Sequence, residues 1–222
     1  MVQRIVRILD LFCGTREPPV LNAAYARHDR RYVSYVGIDG HVTDRWLQPY
    51  SPSDRVAFHR ETLDLADVNH FQKQLVDLLH NRLFDEIHAH MKGTAIFASE
   101  DFLPVLSKFL ASGGRLFHLV QNASPILPIE LDHAQTTAWS DVSTVVHRNR
   151  DKAAEAAVDS GLTLMLYGYR PLAASNWNTL SGHGRETRTD LDEAIGRVVR
   201  NHTNFNSFAN HFFVFRKPKT KS

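Results

Sequence analysis

Ile8-Leu9-Asp10-Leu11-Phe12-Cys13-Gly14-Thr15 is the stretch on which the reading of the whole chain turns. With Ile5 and Val6 before it, it makes a nearly continuous apolar run, the pattern of a strand buried on both faces of a parallel sheet. The run stops at Gly14. Pro18 and Pro19 then fix φ where a first helical turn begins, and Val20 to His28 continues as a helix. The product is strand, tight turn, helix, with one carboxyl group set inside the apolar strand. A buried carboxylate is costly unless it is paired, so Asp10 calls for a partner, which backbone amides of the turn or the cationic group of a ligand could supply.

The same unit recurs downstream. Arg31 to Ile38 is rich in Tyr, Val and Ile and closes at Asp39-Gly40, a second strand and its turn. Val56 to Phe58 is a short third strand; after the polar segment Arg60 to Asp67, Phe71, Leu75, Leu78 and Leu79 fall at helical spacing. Phe84 to Ala89 is a fourth strand. Phe102, Val105, Leu106, Phe109 and Leu110 then form a helical stripe that Ser112-Gly113-Gly114 ends, and Arg115 to Val120 is a fifth strand. Strands recurring every 25 to 30 residues or so with helices between them predict a parallel sheet with helices on both faces.

The second half changes character. Ala123 to Arg150 reads as a long connection with two prolines and Trp139, a candidate lid. Asp151 to Ser160 is Ala-rich and helical, Gly161 ends it, and Leu162 to Tyr169 is a sixth strand stopped by Pro171. Residues 172 to 188 are polar and Gly-containing; Thr189 with Asp192 resembles a capping box for a helix carrying Leu191, Ile195, Val198 and Val199. His211 to Phe215 is the seventh and last strand. The expectation is one Rossmann-like α/β domain over residues 1–222, with insertions at about 123–150 and 172–210.

Composition narrows the function classes. Twenty-six basic and 24 acidic residues leave a formal charge of +2, far from the field of a dedicated nucleic-acid binder. A single cysteine, Cys13, excludes an internal disulfide and a cysteine-based zinc site, and nothing indicates a metal. Met1 to Asp10 carries Arg4 and Arg7 and lacks the features of a secretory leader, and no window approaches the roughly 20 apolar residues of a membrane span, so a cytoplasmic protein is expected. The basic tail Arg216 to Ser222 reads as a solvated end.

The stretch around Asp10 resembles motif I of the class I S-adenosylmethionine-dependent methyltransferases, whose usual form is Asp/Glu-x-Gly-x-Gly-x-Gly. Asp10 and Gly14 match it, while Phe12 and Arg16 stand where the first and third glycines are expected. Neighbouring motifs fall where the family places them, over about residues 4–216. The resemblance implies a seven-stranded, mostly parallel sheet with an antiparallel last strand, and S-adenosylmethionine as cofactor. It implies cofactor contacts from Asp10, Phe12, Cys13, Gly14 and Thr15 in the first turn. Asp39, followed by Gly40, matches the acid that accepts hydrogen bonds from both ribose hydroxyls, although an acid at a strand end also serves as a turn or capping residue. Glu61-Thr62-Leu63 resembles the segment that meets the adenine, with Asp64 the alternative acid in a shifted alignment. Phe84 to Met91 resembles motif IV, where the strand end faces the methyl group and His90 lies against the cofactor.

NAD is the rival cofactor. It needs Gly-x-Gly-x-x-Gly so that backbone can approach a pyrophosphate, and a carboxylate beside a pyrophosphate is repulsive, whereas a sulfonium and an amine suit Asp10. Methyl transfer to a hydroxyl or protonated amine needs a proton acceptor, and His90 and His88, alternate residues of one strand, are the candidates. His118 reads as core, and His133 and His183 as weaker candidates in the insertions. No Asn/Asp-Pro-Pro-Tyr/Phe follows the fourth strand and no Pro-Cys loop is present, which disfavours the corresponding nucleic-acid chemistries. The acceptor expected is a small molecule presenting O or N, with Trp139, Trp177, His183 and Phe205 as candidate lining. RNA or protein methylation, and a cofactor-binding partner subunit without activity, are the alternatives.

Overall fold

Eight strands form one sheet in the computed structural model, which describes residues 5–11, 32–39, 56–62, 68–90, 102–120, 127, 139–169, 178–182 and 211–220. In chain order the elements are β1 (Ile5–Leu11), β2 (Tyr32–Asp39), β3 (Val56–Thr62), α1 (Val68–Leu79), β4 (Phe84–His90), α2 (Phe102–Phe109), β5 (Leu110–Val120), α3 (Trp139–Asp159), β6 (Thr163–Tyr169), β7 (Asn178–Ser181) and β8 (His211–Arg216). The sheet order is β3-β2-β1-β4-β5-β8-β6-β7. β1 to β5 pair in parallel, and β8 lies antiparallel between β5 and β6. The order reverses between β1 and β4, both starting from the middle of the sheet, and the crevice outside the carboxyl ends of such a switch point is where open α/β sheets bind ligands.

The expected Rossmann-like α/β class and antiparallel last strand are present; among the described residues the sheet has eight strands rather than the seven expected. β7 pairs antiparallel with the edge of β6, Tyr169 opposite Asn178. Its four residues are too few for an alternation to show in a polar stretch. It also cuts into the segment 172–210 read as an insertion. The connection read over 123–150 is likewise shorter, because α3 starts at Trp139. Its first half, rich in Ser, Thr and Val, is poor in helix formers, but Val146, Asn149, Ala153 and Ala157 are buried at i, i+3, i+7 and i+11, so packing overrides propensity.

Leu9 and Leu11 of β1, Val36 and Ile38 of β2, Ile87 and Ala89 of β4 and Leu116 of β5 belong to one buried cluster. Leu75 and Leu79 of α1, Phe102 and Leu106 of α2, and Val146, Ala153 and Ala157 of α3 complete it. Side chains alternate along a strand, so these helices cover one face, and Ile8, Asp10, Tyr35, His88 and Phe117 point to the other. That second face is also buried. Helices expected over 20–28 and 189–199 lie outside the described residues.

Helix ends follow from local chemistry. Gly161, at φ 67°, closes α3: Leu162 N–H donates to Ala157 O at 2.7 Å and Gly161 N–H to Val158 O at 2.9 Å, a Schellman arrangement with Leu162 buried against the helix. The tail read as a solvated end is partly tied down. Lys217 Nζ donates to Ser107 O at 2.9 Å and Leu110 O at 2.8 Å, placing a cation on carbonyls at the end of α2, where the helix dipole favours one. Lys217 backbone also pairs with Gly113 and Gly114.

Candidate functional site

Asp10 sits on the second face of β1, one residue before its end, and is 2% exposed. Its partner is Tyr35 of the adjacent strand, whose hydroxyl donates to Asp10 Oδ2 at 2.7 Å. Register explains the reach: Ile8 pairs with Tyr35 and Asp10 with Gly37, so the tyrosine lies one diagonal step from the acid. The phenol hydroxyl of a neighbouring strand is thus one partner that this buried carboxylate has within the sheet.

The carboxyl ends of the neighbouring strands come level with one another. Leu11 pairs with Ile38 on one side and with Ala89 on the other, and Asp39 pairs with Thr62. Thr62, Asp39 and His90 therefore stand in one row at the sheet edge, spread over three strand spacings or about 14 Å. Asp39 is half-buried on the same face as Asp10 and Tyr35. Glu61 and Thr62 end β3, a strand that runs four residues beyond the Val56–Phe58 expected. Phe12, Cys13, Gly14, Thr15, Gly40 and Leu63 lie outside the described residues, as do His133, His183, Trp177 and Phe205 and the side chain of His90.

His88 is opposite Asp10 in the β1–β4 register. Its ring is 1% exposed and stacks on Phe117 at 4.8 Å between centroids, while Nε2 lies 3.3 Å from Glu86 Oε2. An imidazole so enclosed is part of the polar wall beneath the edge. His118 is fully buried, as core. Its Nδ1 donates to Ala89 O at 2.5 Å, which assigns the proton to Nδ1, and burial pushes its pKa down to about 4 although that hydrogen bond works the other way.

The face carrying α3 holds a second buried polar group that sequence reading missed. Tyr167 of β6 and His211 of β8 lie with rings parallel, and the tyrosine oxygen is 2.8 Å from His211 Nδ1. Asn149 of α3 hydrogen-bonds the same tyrosine; burial raises the phenol pKa, partly offset by that contact. Burial also pushes His211 down to about 3.

No family model matches the chain. No curated protein matches it either. Among solved structures it is similar to the [4+2]-cyclase SpnF, at 15% identity and TM-score 0.49, with 99% of this chain and 78% of that one covered. It is similar to an O-methyltransferase family protein from Burkholderia thailandensis at 12% identity and TM-score 0.48, covering 98% of this chain and 52% of that one. A third is Haemonchus contortus phosphoethanolamine N-methyltransferase 2 in complex with S-adenosyl-L-methionine, at 13% identity and TM-score 0.47, covering 99% and 50%. Among the described residues no helix is long and apolar enough to cross a membrane.

Proposed function

We propose that the chain binds S-adenosylmethionine at the carboxyl edge of β1, β2 and β4 and transfers its methyl group to an O or N nucleophile of a small molecule. The observation that carries this reading is the buried Asp10 carboxylate, held by Tyr35 beneath the switch point, with Asp39 at the end of the next strand. Two carboxylates on one face at a sheet edge suit a ligand with a cationic amine and a vicinal diol and repel a pyrophosphate. When bound, the cofactor supplies a methyl group already activated for displacement. Asp39 would hold the ribose hydroxyls, Glu61, Thr62 and Leu63 the adenine side, and residues 12–15 with Gly40 the turns around them. Asp10, oriented by Tyr35, would face the amino-acid end. His90, last residue of β4, would take the proton from the acceptor, and His88 would support it from the wall below.

Calorimetry with S-adenosylmethionine and S-adenosylhomocysteine is the direct test. Both should bind, and Asp10→Asn should weaken them by about 10- to 100-fold, the scale of one charge-assisted hydrogen bond. Absence of heat with either nucleoside would remove the cofactor reading altogether. Transfer of labelled methyl groups to small-molecule fractions then tests catalysis. His90→Ala should keep cofactor affinity while turnover falls about a hundredfold or more; unchanged turnover would take His90 out of the mechanism. Phe12 and Arg16 in place of two turn glycines favour a second reading, a cofactor-binding partner subunit without activity. Binding without label transfer to small molecules, RNA or protein would select it.

A further inference from the structure

His211 opens β8, and its register partners are Val120 and Tyr169, the last residues of β5 and β6. It therefore stands at the same carboxyl edge as the proposed cofactor site, two strand spacings or about 10 Å from β4. Its side chain belongs to the face that carries Tyr167, Phe213 and α3. Nδ1 is engaged by Tyr167, whereas Nε2 is buried and has no hydrogen-bond partner among the described residues.

The chain of contacts sets which nitrogen carries the proton. Asn149 hydrogen-bonds the Tyr167 side chain, and the phenol oxygen lies 2.8 Å from His211 Nδ1. With the phenol O–H donating to His211 Nδ1, a neutral imidazole accepting there carries its proton on Nε2. The result is a fixed N–H donor in an aromatic surround, with the Tyr169 ring tilted against the imidazole at 5.1 Å and Tyr167 stacked on Phe213 at 4.6 Å. A buried donor left without an acceptor is destabilising, and such groups in native folds call for an explanation. Deep burial also suits a neutral donor better than a proton acceptor, because an imidazole that resists protonation is a poor base.

We infer that His211 Nε2–H is a recognition point for the methyl acceptor, donating to an oxygen of an uncharged or anionic organic molecule, with Tyr167 and Asn149 as positioning residues that hold the donor tautomer. This rests on the methyltransferase reading and narrows its substrate to oxygen-bearing acceptors at this point of contact. An ammonium group, which has donors only, is excluded from it.

The test uses the full chain saturated with S-adenosylhomocysteine, with phenol, benzoate and benzylamine as probes. Nitrogen-15 NMR of the imidazoles, with His211→Phe to assign the signal, should show His211 protonated at Nε2. That resonance should move with phenol or benzoate and stay still with benzylamine. His211→Phe should retain S-adenosylhomocysteine affinity within about twofold and weaken the oxygen probes at least about tenfold. Tyr167→Phe should leave both tautomers populated. A non-protonated Nε2, an unmoved resonance with both oxygen probes, or equal probe affinity in wild type and His211→Phe overturns the proposal. Failure of S-adenosylhomocysteine to bind is a separate result, which sinks the cofactor reading instead.

Discussion

Between pH 8 and pH 5 the fold should lose about 4 kcal/mol of stability, about 2 from each of two histidines. His118 and His211 are neutral in the folded chain, held down by burial to about 4 and about 3 from 6.5. Once unfolded, both protonate near pH 6.5, so below that value the unfolded state binds up to two more protons than the folded one. Stability is complete above the unfolded value and falls as pH drops, by about 1.4 kcal/mol per pH unit for each group, until the folded-state values are reached. At pH 5 both folded imidazoles are still almost wholly neutral, so the loss there depends on the unfolded pKa and little on how far burial has moved the folded one. Against a typical total of about 5–15 kcal/mol, a loss of this size is large. Urea unfolding at pH 8, 6 and 5 measures it, and His211→Phe should halve the slope between pH 6 and 5. A flat stability curve over that window would show that neither imidazole is buried neutral.

These two histidines also show what sequence can and cannot disclose. Strands β1, β2, β4 and β6 were legible because apolar runs bounded by Gly, Pro or Asp mark strands enclosed on both faces, and the helical stripes of α1 and α2 carry their own period. Asp10 announced itself as a polar group in an apolar run. Its partner did not, yet a signal existed: Tyr35, in a strand expected to be buried, has a hydroxyl that needs an acceptor, and adjacent parallel strands put it within reach. His211 and Tyr167 gave the same kind of signal, a ring nitrogen in His-Phe-Phe-Val-Phe and a hydroxyl in Leu-Met-Leu-Tyr-Gly-Tyr. Their pairing depends on β8 entering the sheet beside β6, a long-range event that no local period records. β7 and the start of α3 escaped for a related reason: a four-residue edge strand and a Ser/Thr/Val-rich helical turn exist because neighbours accept them, not because their residues prefer those states.

Gly168→Ala should destabilise the protein by about 3 kcal/mol, at the upper end of what overpacking a core costs. Gly168 of β6 faces Phe212 of β8 in the register, and atoms of the phenylalanine ring lie where a side chain at 168 would begin. A Cβ at 168 would fall well inside contact distance of the ring atoms Cδ1, Cε1 and Cζ. Phe212 is wholly buried, so it cannot swing into solvent to make room, and a close-packed interior offers no void to receive the ring. The glycine is therefore set by its neighbour: a flat ring covers bare backbone that would otherwise leave a gap between two strands, and the pair works as a unit. Conformational freedom has no part in this, since Gly168 is not among the glycines at positive φ. A double-mutant cycle separates the two explanations for a loss of stability. Phe212→Ala alone should cost about 3–5 kcal/mol as a cavity. Combined with Gly168→Ala it should cost clearly less than the sum, by about 2 kcal/mol, because the new methyl then occupies part of the vacated space. Strict additivity of the two substitutions, read from their denaturation midpoints, would mean that Phe212 does not press on position 168, and that the cost at 168 arises elsewhere in the strand.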